Sequence, residues 1–214
     1  MKIGIIGSGI VGRVLGSAFL AEGHQVTLGT RDITKAEAVK WLAENPGGEI
    51  ATFSDTAAEA ELIVIATSGG ITMQAIELAG KEKFSGKVVI DATNPIDNTK
   101  PPVNGVLQYF TPQNSSLMQQ IQSMLPDAKL VKAFNSVGNA LMYKPQLSAT
   151  PTMFICGNDD GAKKTVTGIL TSFGWETADM GKAEAAGAIE SLCILWCIPG
   201  FAENQWRHAF KLVK

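Results

Sequence analysis

The stretch KIGIIGSGIVG, Lys2–Gly12, joins a short apolar run to a glycine motif and decides the fold class. Lys2–Ile6 has the Ile-rich composition of a strand that is covered on both faces. Gly7–Gly12 reads G-x-G-x-x-G, and a helical pattern follows at Ile10–Glu22. A strand, this motif and a helix in succession are typical of a dinucleotide-binding turn, in which helix N–H groups face the pyrophosphate. The candidate pyrophosphate-binding residues are Gly7, Ser8, Gly9, Ile10, Val11 and Gly12.

The rest of the chain alternates apolar runs with segments of helical length. The expected strands are Lys2–Ile6, Gln25–Gly29, Glu49–Phe53, Glu61–Thr67, Lys87–Thr93, Lys129–Phe134 and Thr152–Gly157. The expected helices are Ile10–Glu22, Thr34–Glu44, Gly70–Glu82, Ser115–Leu125 and Asp160–Phe173. This alternation predicts an α/β fold of the Rossmann type, a doubly wound and mostly parallel sheet with a small helical C-terminal part. We expect residues 1–150 to form the nucleotide-binding Rossmann domain and residues 151–214 a small strand–helix extension packed on the same core.

Two segments interrupt the alternation. Asn94–Asn114 holds four prolines and no period, which predicts a loop without regular structure and with a functional role. Gly181–Lys214 is a long helical pattern interrupted at Ile198–Gly200. It predicts one or two apolar helices that pack on the sheet or against a second copy of the chain, so a homodimer is possible.

Composition excludes several classes of protein. Eighteen basic and twenty acidic residues give a net charge of −2 without a basic run, which argues against nucleic acid as a partner. Three cysteines do not make a disulfide framework, and Cys193 and Cys197 lack further ligands at metal-binding spacing, so no metal site is expected. No leader or apolar run of membrane-spanning length is evident, and we expect a cytoplasmic protein that binds no membrane.

The stretch VTLGTRD, Val26–Asp32, predicts which nucleotide binds. An NAD site usually places an acid here to hold the adenine ribose, but Gly29 stands at that position and leaves its space free. Thr30, Arg31 and Lys35 instead offer a hydroxyl and two cations, groups that suit a 2′-phosphate. The expected cofactor is therefore NADP.

Ligands of open parallel sheets bind beyond the carboxyl ends of the strands, where this chain carries mainly hydroxyls and amides. The candidate residues around the nicotinamide are Thr67, Ser68, Asn94, Pro95, Asn135, Ser136 and Val137. His24 is expected at the opposite edge of the sheet, and His208 reaches a site only by folding back or joining another subunit. Asp91 and Lys132 form no recognisable dyad, so no catalytic acid or base is assigned. Hydride transfer to a flavin-like ring needs none, because the ring spreads the charge and solvent supplies the proton.

The chain also resembles a known family over nearly its whole length. The segments VIDATNPI, VKAFNSVGNALM, MFICGNDDGAKKTV and AAGAIESLCILWC, with the N-terminal motif, are similar to the NADPH-dependent coenzyme F420 reductases. The same domain type occurs in membrane metalloreductases. The resemblance implies hydride transfer between NADPH and a deazaflavin or flavin as second substrate. It also implies that Thr30, Arg31 and Lys35 hold the 2′-phosphate and that Asn135, Ser136 and Val137 border the deazaflavin.

Two other functions stay open at the level of sequence. The N-terminal motif is shared with NADPH-dependent dehydrogenases and imine reductases of the hydroxyacid or pyrroline-carboxylate type, which usually add a large helical domain. A non-enzymatic NADP sensor would also carry the complete nucleotide motif.

Overall fold

A computed structural model describes residues 1–213, so Lys214, the last residue of the predicted C-terminal helical segment, lies outside the described residues. The strands are β1 (Lys2–Ile6), β2 (Gln25–Thr30), β3 (Gly48–Thr52), β4 (Leu62–Ile65), β5 (Val88–Asp91), β6 (Lys129–Lys132), β7 (Thr152–Ile155) and β8 (Glu176–Asp179). The α-helices are α1 (Ile10–Ala21), α2 (Ala36–Glu44), α3 (Phe53–Glu59), α4 (Thr72–Ala79), α5 (Leu117–Met124), α6 (Asp160–Ser172) and α7 (Ala186–Glu203).

The first six strands form one parallel sheet in the order β3-β2-β1-β4-β5-β6. This is the strand order of a Rossmann fold, and it confirms the predicted fold class. Helices cover both faces, so the strands are apolar on both sides, as Ile5 on one face and Ile63 on the other illustrate. The winding changes direction between β1 and β4, and this switch point is where ligands of such sheets bind.

The sequence patterns miss two short elements. α3 has seven residues, too few for a helical period to be visible, although the Thr52 side chain caps it by accepting a hydrogen bond from the Asp55 N–H. β8 pairs in parallel with β7, and the two form a small separate sheet. An isolated antiparallel bridge between Lys132 and Cys156 connects this sheet to β6. The division of the chain at residue 150 stays a prediction.

Of the one or two helices predicted for the C-terminal segment, the structure has one, and Ile198–Gly200 does not interrupt it. α7 runs without a break through Pro199. Proline frees the carbonyl four residues earlier, and here that is the carbonyl of Leu195, a residue that is 55% exposed. Water can satisfy the freed group, which removes part of the cost of proline inside the helix. The chain then turns at Asn204, which has a left-handed φ of 56°, and runs back so that the Phe210 carbonyl accepts from the Thr152 N–H.

α7 also corrects the expectation that no apolar segment reaches membrane-spanning length. Ala183–Glu203, α7 with the turn before it, is long and apolar enough by those criteria. A core helix of a folded domain meets the same criteria. One face of α7, with Ile189, Glu190 and Trp196, is buried against the rest of the chain, while Leu195 and Phe201 are exposed.

The proline-rich segment is not the structureless loop that its sequence predicts. Ile96 and Tyr109 form an antiparallel bridge, as do Val103 and Val106 nearer the tip. Backbone bonds from Asp97 to Gln108 and from Phe110 to Pro95 complete a small hairpin, at 2.8 and 2.9 Å. We call residues 94–110 the acceptor hairpin. Its bridges are too short for an alternating pattern to be read from the sequence.

Candidate functional site at the carboxyl ends of the parallel strands

The glycine-rich turn joins β1 to α1 and has the properties that a phosphate needs. Gly7 has a φ of 126°, a conformation that favours glycine. A side chain at Gly12 would run into the Gly7 carbonyl, whereas a Cβ on Gly9 would meet nothing within 4 Å. Gly7 and Gly12 thus let the turn form, and Gly9 leaves open space in front of it. No side chain caps α1, so its first N–H groups can bind an anion.

The end of β2 lies against this turn. The Ser8 hydroxyl donates to Thr30 Oγ1 at 3.1 Å, and both residues are buried. Arg13 was not singled out by sequence, yet its Nη1 donates to the Ser8 carbonyl at 2.8 Å and holds the turn. Its position one residue after the glycine motif was the available signal.

The expectation for Gly29 is wrong. A Cβ at Gly29 would lie 2.9 Å from the Ile5 carbonyl oxygen and 3.0 Å from the Thr56 hydroxyl, inside the fold. Gly29 therefore accommodates packing rather than clearing space for a nucleotide. The residue whose side chain faces the turn is Thr30, and a threonine takes the place where an NAD site has its acid.

Two cations stand free beside Thr30. Arg31 and Lys35 are exposed, and within residues 1–213 neither forms an ion pair with a carboxylate. Asp32, the nearest acid, accepts from the Thr34 hydroxyl and N–H at 2.6 and 2.8 Å. These hydrogen bonds lower the pKa of Asp32, the hydroxyl more than the N–H. The acid is thus engaged with its own turn, and the arrangement fits a 2′-phosphate.

The residues predicted to lie around the nicotinamide are found where β4, β5 and β6 end. Asn94 Nδ2 donates to the Asn135 carbonyl at 2.7 Å, and Asn135 Nδ2 donates to Asn94 Oδ1 at 3.1 Å. Ser68 Oγ accepts from Asn98 of the acceptor hairpin at 2.8 Å, and the Thr67 hydroxyl lies 2.8 Å from that of Thr72. The remaining candidates, all buried, are Pro95, Ser136 and Val137.

Asn135 is the most informative residue of this group. It is 4% exposed, and its Oδ1 is buried without a hydrogen-bond partner. A buried acceptor without a partner is costly and is common where a ligand donates. Phe134 before it has a φ of 64°, an unfavourable conformation for a bulky residue that orients this loop. The site thus offers a fixed acceptor for an N–H group.

A buried charged cluster lies beneath these amides, and sequence reasoning missed it. Lys132 Nζ lies 2.9 Å from Asp91 Oδ2 and 2.8 Å from Glu190 Oε1, and all three side chains are at most 1% exposed. Burial lowers the pKa of Lys132, but the two carboxylates outweigh burial and the pKa is raised. Asp91 and Lys132 are register partners at the last positions of β5 and β6. The charged residue at the end of each of these two apolar strands could have indicated the cluster from sequence, whereas nothing in the sequence of α7 points to Glu190.

The cluster does not supply a catalytic acid or base. The Lys132 ammonium has three oxygen partners and no exposure, so it cannot reach a substrate. His24 Nδ1 lies 3.4 Å from the N-terminal amine. This is the edge of the sheet opposite the site, where the sequence places it. His208 folds back, and its Nε2 lies 2.9 Å from the Trp196 carbonyl.

These features define a nucleotide-binding α/β protein of the Rossmann class: the strand order, the glycine-rich turn between β1 and α1, and the cations that follow β2. The family model described as "NADP oxidoreductase coenzyme F420-dependent" matches residues 2–95. A solved structure of a candidate F420-dependent NADP reductase from Arthrobacter is 33% identical, with full coverage of both chains and a TM-score of 0.93. The chain belongs to this F420-dependent NADP oxidoreductase family and is an NADP-dependent oxidoreductase.

Two curated relatives show how the domain is used elsewhere. The F420-dependent NADP reductase of Methanocaldococcus jannaschii is 27% identical over 205 residues, which cover 90% of this chain and 89% of that protein. The metalloreductase STEAP3 of Rattus norvegicus is 26% identical over 192 residues, 89% of this chain. This chain spans only 36% of the length of STEAP3.

Proposed function

We propose that this protein transfers a hydride between NADPH and a deazaflavin such as coenzyme F420, or a flavin-like ring, without a protein acid or base. The observation that carries the proposal is the buried, unpartnered Asn135 Oδ1 at the ends of β5 and β6. The nearby titratable groups Asp91, Lys132 and Glu190 are buried and paired. The names of the reductase relatives support the same acceptor.

The residues divide between two halves of the site. Gly7–Gly12 and the start of α1 hold the pyrophosphate, while Thr30, Arg31 and Lys35 hold the 2′-phosphate. The nicotinamide and its ribose lie among the hydroxyls and amides at the strand ends, namely Thr67, Ser68, Asn94, Pro95, Asn135, Ser136 and Val137. We call these two groups the nucleotide half and the acceptor half.

The protein contributes alignment rather than proton transfer. When bound, NADPH supplies the hydride, and the acceptor ring takes it with one proton from water, which leaves NADP⁺ and the two-electron-reduced acceptor. Asn135 Oδ1 accepts from an N–H of the nicotinamide carboxamide or of the acceptor's imide. Such a bond fixes ring orientation, which is the main term in a reaction between two stacked cofactors.

A panel of acceptors tests the proposal. NADPH is mixed with the protein and F420, FMN, FAD, ferric chelates, a cyclic imine or a 2-keto acid, and loss of the reduced-nicotinamide absorbance is followed. We expect oxidation with F420 or a free flavin, and with F420 we expect deuterium from labelled NADPH to be retained on a carbon of the reduced ring. Turnover with the imine or keto acid alone would establish the dehydrogenase alternative, and no turnover with any acceptor would leave a sensor.

Two variants test the part played by Asn135. Asn135→Ala removes the unpartnered Oδ1, and we expect kcat/KM for the acceptor to fall about tenfold, the worth of one hydrogen bond of ~1.4 kcal/mol. Asn94→Ala breaks both bonds between the two residues, including the one that Asn135→Ala breaks, but leaves Asn135 Oδ1 in place, so its loss should be smaller. Equal losses in the two variants would assign the effect to the amide pair instead.

A further inference from the structure

The hydrogen bonds of the buried cluster hold residues 93–118, the segment that contains the acceptor hairpin. Besides the two carboxylates, Lys132 Nζ donates to the Thr93 carbonyl at 2.6 Å. Asp91 Oδ1 accepts from the Thr93 N–H and hydroxyl at 2.9 and 2.6 Å. Lys132 and Asp91 together therefore fix Thr93, the residue directly before the acceptor hairpin.

Glu190 fixes the other end of the same segment. Its carboxylate accepts from the N–H groups of Leu117 and Met118, both at 3.1 Å, at the start of α5. Its backbone carbonyl accepts from the Tyr109 hydroxyl at 2.6 Å, and Tyr109 belongs to the returning arm of the hairpin. The formal charge of the cluster is −1, and the positive end of α5 offsets it.

The hairpin extends from this base across the ends of the strands. Asn94 pairs with Asn135, and Asn98 donates to Ser68 at the end of β4. The hairpin thus spans the region from β6 to β4 that we assign to the acceptor. Its base is held by these polar bonds and by the cluster, and its tip at Gly105 lies against Ile198 and Phe201 of α7.

A buried ion cluster of this kind is not an efficient source of stability. Desolvation of the charges roughly cancels their attraction, and apolar residues of similar size often serve as well. Such a cluster does impose one geometry on the elements that it joins, because each charge must keep its partners. Here those elements are β5, β6, α5 and α7, which enclose both ends of the hairpin.

We propose that Asp91, Lys132 and Glu190 are positioning residues that hold the acceptor hairpin over the acceptor half and thereby set the KM for the hydride acceptor. This inference rests on the proposed function. The nucleotide half makes no hydrogen bond to the cluster among the described residues. The cluster therefore reaches NADPH only through its nicotinamide end, so we expect it to affect NADPH affinity less than it affects acceptor KM.

The test compares Glu190→Gln with Glu203→Gln, the same change at the exposed end of α7. Glutamine keeps one of the two acceptor oxygens, so one of the α5 N–H groups loses its partner while Lys132 stays paired with Asp91. We expect Glu190→Gln to raise acceptor KM about tenfold, with the NADPH Kd unchanged within about twofold. Glu203→Gln should change neither quantity.

A double variant separates positioning from stability. Lys132→Met alone leaves two facing carboxylates, whereas Lys132→Met with Glu190→Gln returns the cluster to its original charge of −1. We expect the double variant to recover stability relative to Lys132→Met while acceptor KM stays raised. Recovery of KM together with stability, or a parallel rise of the NADPH Kd, would overturn the positioning role.

Hydrogen exchange gives a readout that needs no acceptor. The Asp97 and Phe110 N–H groups donate within the hairpin, so their exchange reports how firmly it is held. We expect faster exchange in Glu190→Gln than in Glu203→Gln. If the exchange result holds but no F420 or flavin is reduced, the proposed function fails while the anchoring stands. Equal exchange in both variants would refute the anchoring itself.

Discussion

The nucleotide half and the acceptor half of the site are built in opposite ways. The nucleotide half lies within Gly7–Lys35, its contacts are local, and its cations Arg31 and Lys35 face solvent. The acceptor half lies on the three loops after β4, β5 and β6, and the cluster beneath it has charges that are buried and paired, as between Lys132 and Glu190, 58 residues apart. A phosphate-binding turn depends on backbone geometry and can form within a short stretch of sequence. A surface that aligns a second ring with the nicotinamide needs residues from distant parts of the fold.

This contrast predicts different costs of mutation in the two halves. In the cluster beneath the acceptor half, the loss of one charge leaves others uncompensated in the protein interior. In the nucleotide half, the loss of an exposed cation removes a ligand contact and little else. The three predictions below test that difference.

The largest expected effect is on stability and follows from Lys132→Met. The change leaves the Asp91 and Glu190 carboxylates facing each other without a cation, and we expect the free energy of unfolding to fall by about 3–5 kcal/mol. Urea unfolding measures it. The matched control is Lys129→Met on the same strand, whose pair with Asp159 is exposed at 3.8 Å and should be worth less than about 1 kcal/mol. Similar losses for both lysines would erase the contrast.

The second prediction concerns the nucleotide half. Arg31→Ala should weaken NADPH binding by roughly 1.5–3 kcal/mol through loss of a charge-assisted contact, and should leave NADH binding and stability nearly unchanged. Titration of both nucleotides measures it. Gly9→Ala is the control, because its Cβ enters open space in the apo protein but crowds the pyrophosphate that both nucleotides share. It should weaken both equally, and an equal loss for both nucleotides in Arg31→Ala would refute the 2′-phosphate role.

The smallest effect is a pH dependence that appears only in alkali. The pKa of Lys132 is raised above its ordinary 10.5, since the carboxylates outweigh the lowering by burial. Its contribution to stability is therefore complete below pH 10.5 and is lost as pH rises from there through the folded-state pKa, by at most about 1.4 kcal/mol per pH unit. The Lys132→Met, Glu190→Gln double variant lacks this loss. If the free energies of unfolding of the wild-type protein and the double variant fall in parallel above pH 10.5, the assignment of this loss to Lys132 is contradicted.

Much of the fold could be predicted from the sequence, because its strands are continuous apolar runs and its first turn is a glycine motif. The failures have local physical causes. α3 is too short to show a period, the acceptor hairpin has only isolated bridges, and Pro199 continues α7 because the carbonyl it frees is on the exposed side. Apolar residues lie all round α7, so its sequence alone does not show which side faces water.

The site was predicted unevenly for the same reason. The structure brings Asn94 and Asn135 together, as their places at strand ends suggested. Gly29 was misjudged because the direction of its absent side chain depends on the packing of α3. Glu190 was missed because nothing in this apolar helix, which carries two carboxylates, Glu190 and Glu203, indicates that Glu190 faces inward.

The sequence by itself determined the strand–turn–helix at the N-terminus and the loss of the acid at the end of β2, because both depend on residue types within one short segment. The tertiary structure decided which buried charges meet and where the proline-rich segment lies. Those outcomes depend on register and helix orientation, which arise only when segments far apart in the chain pack together.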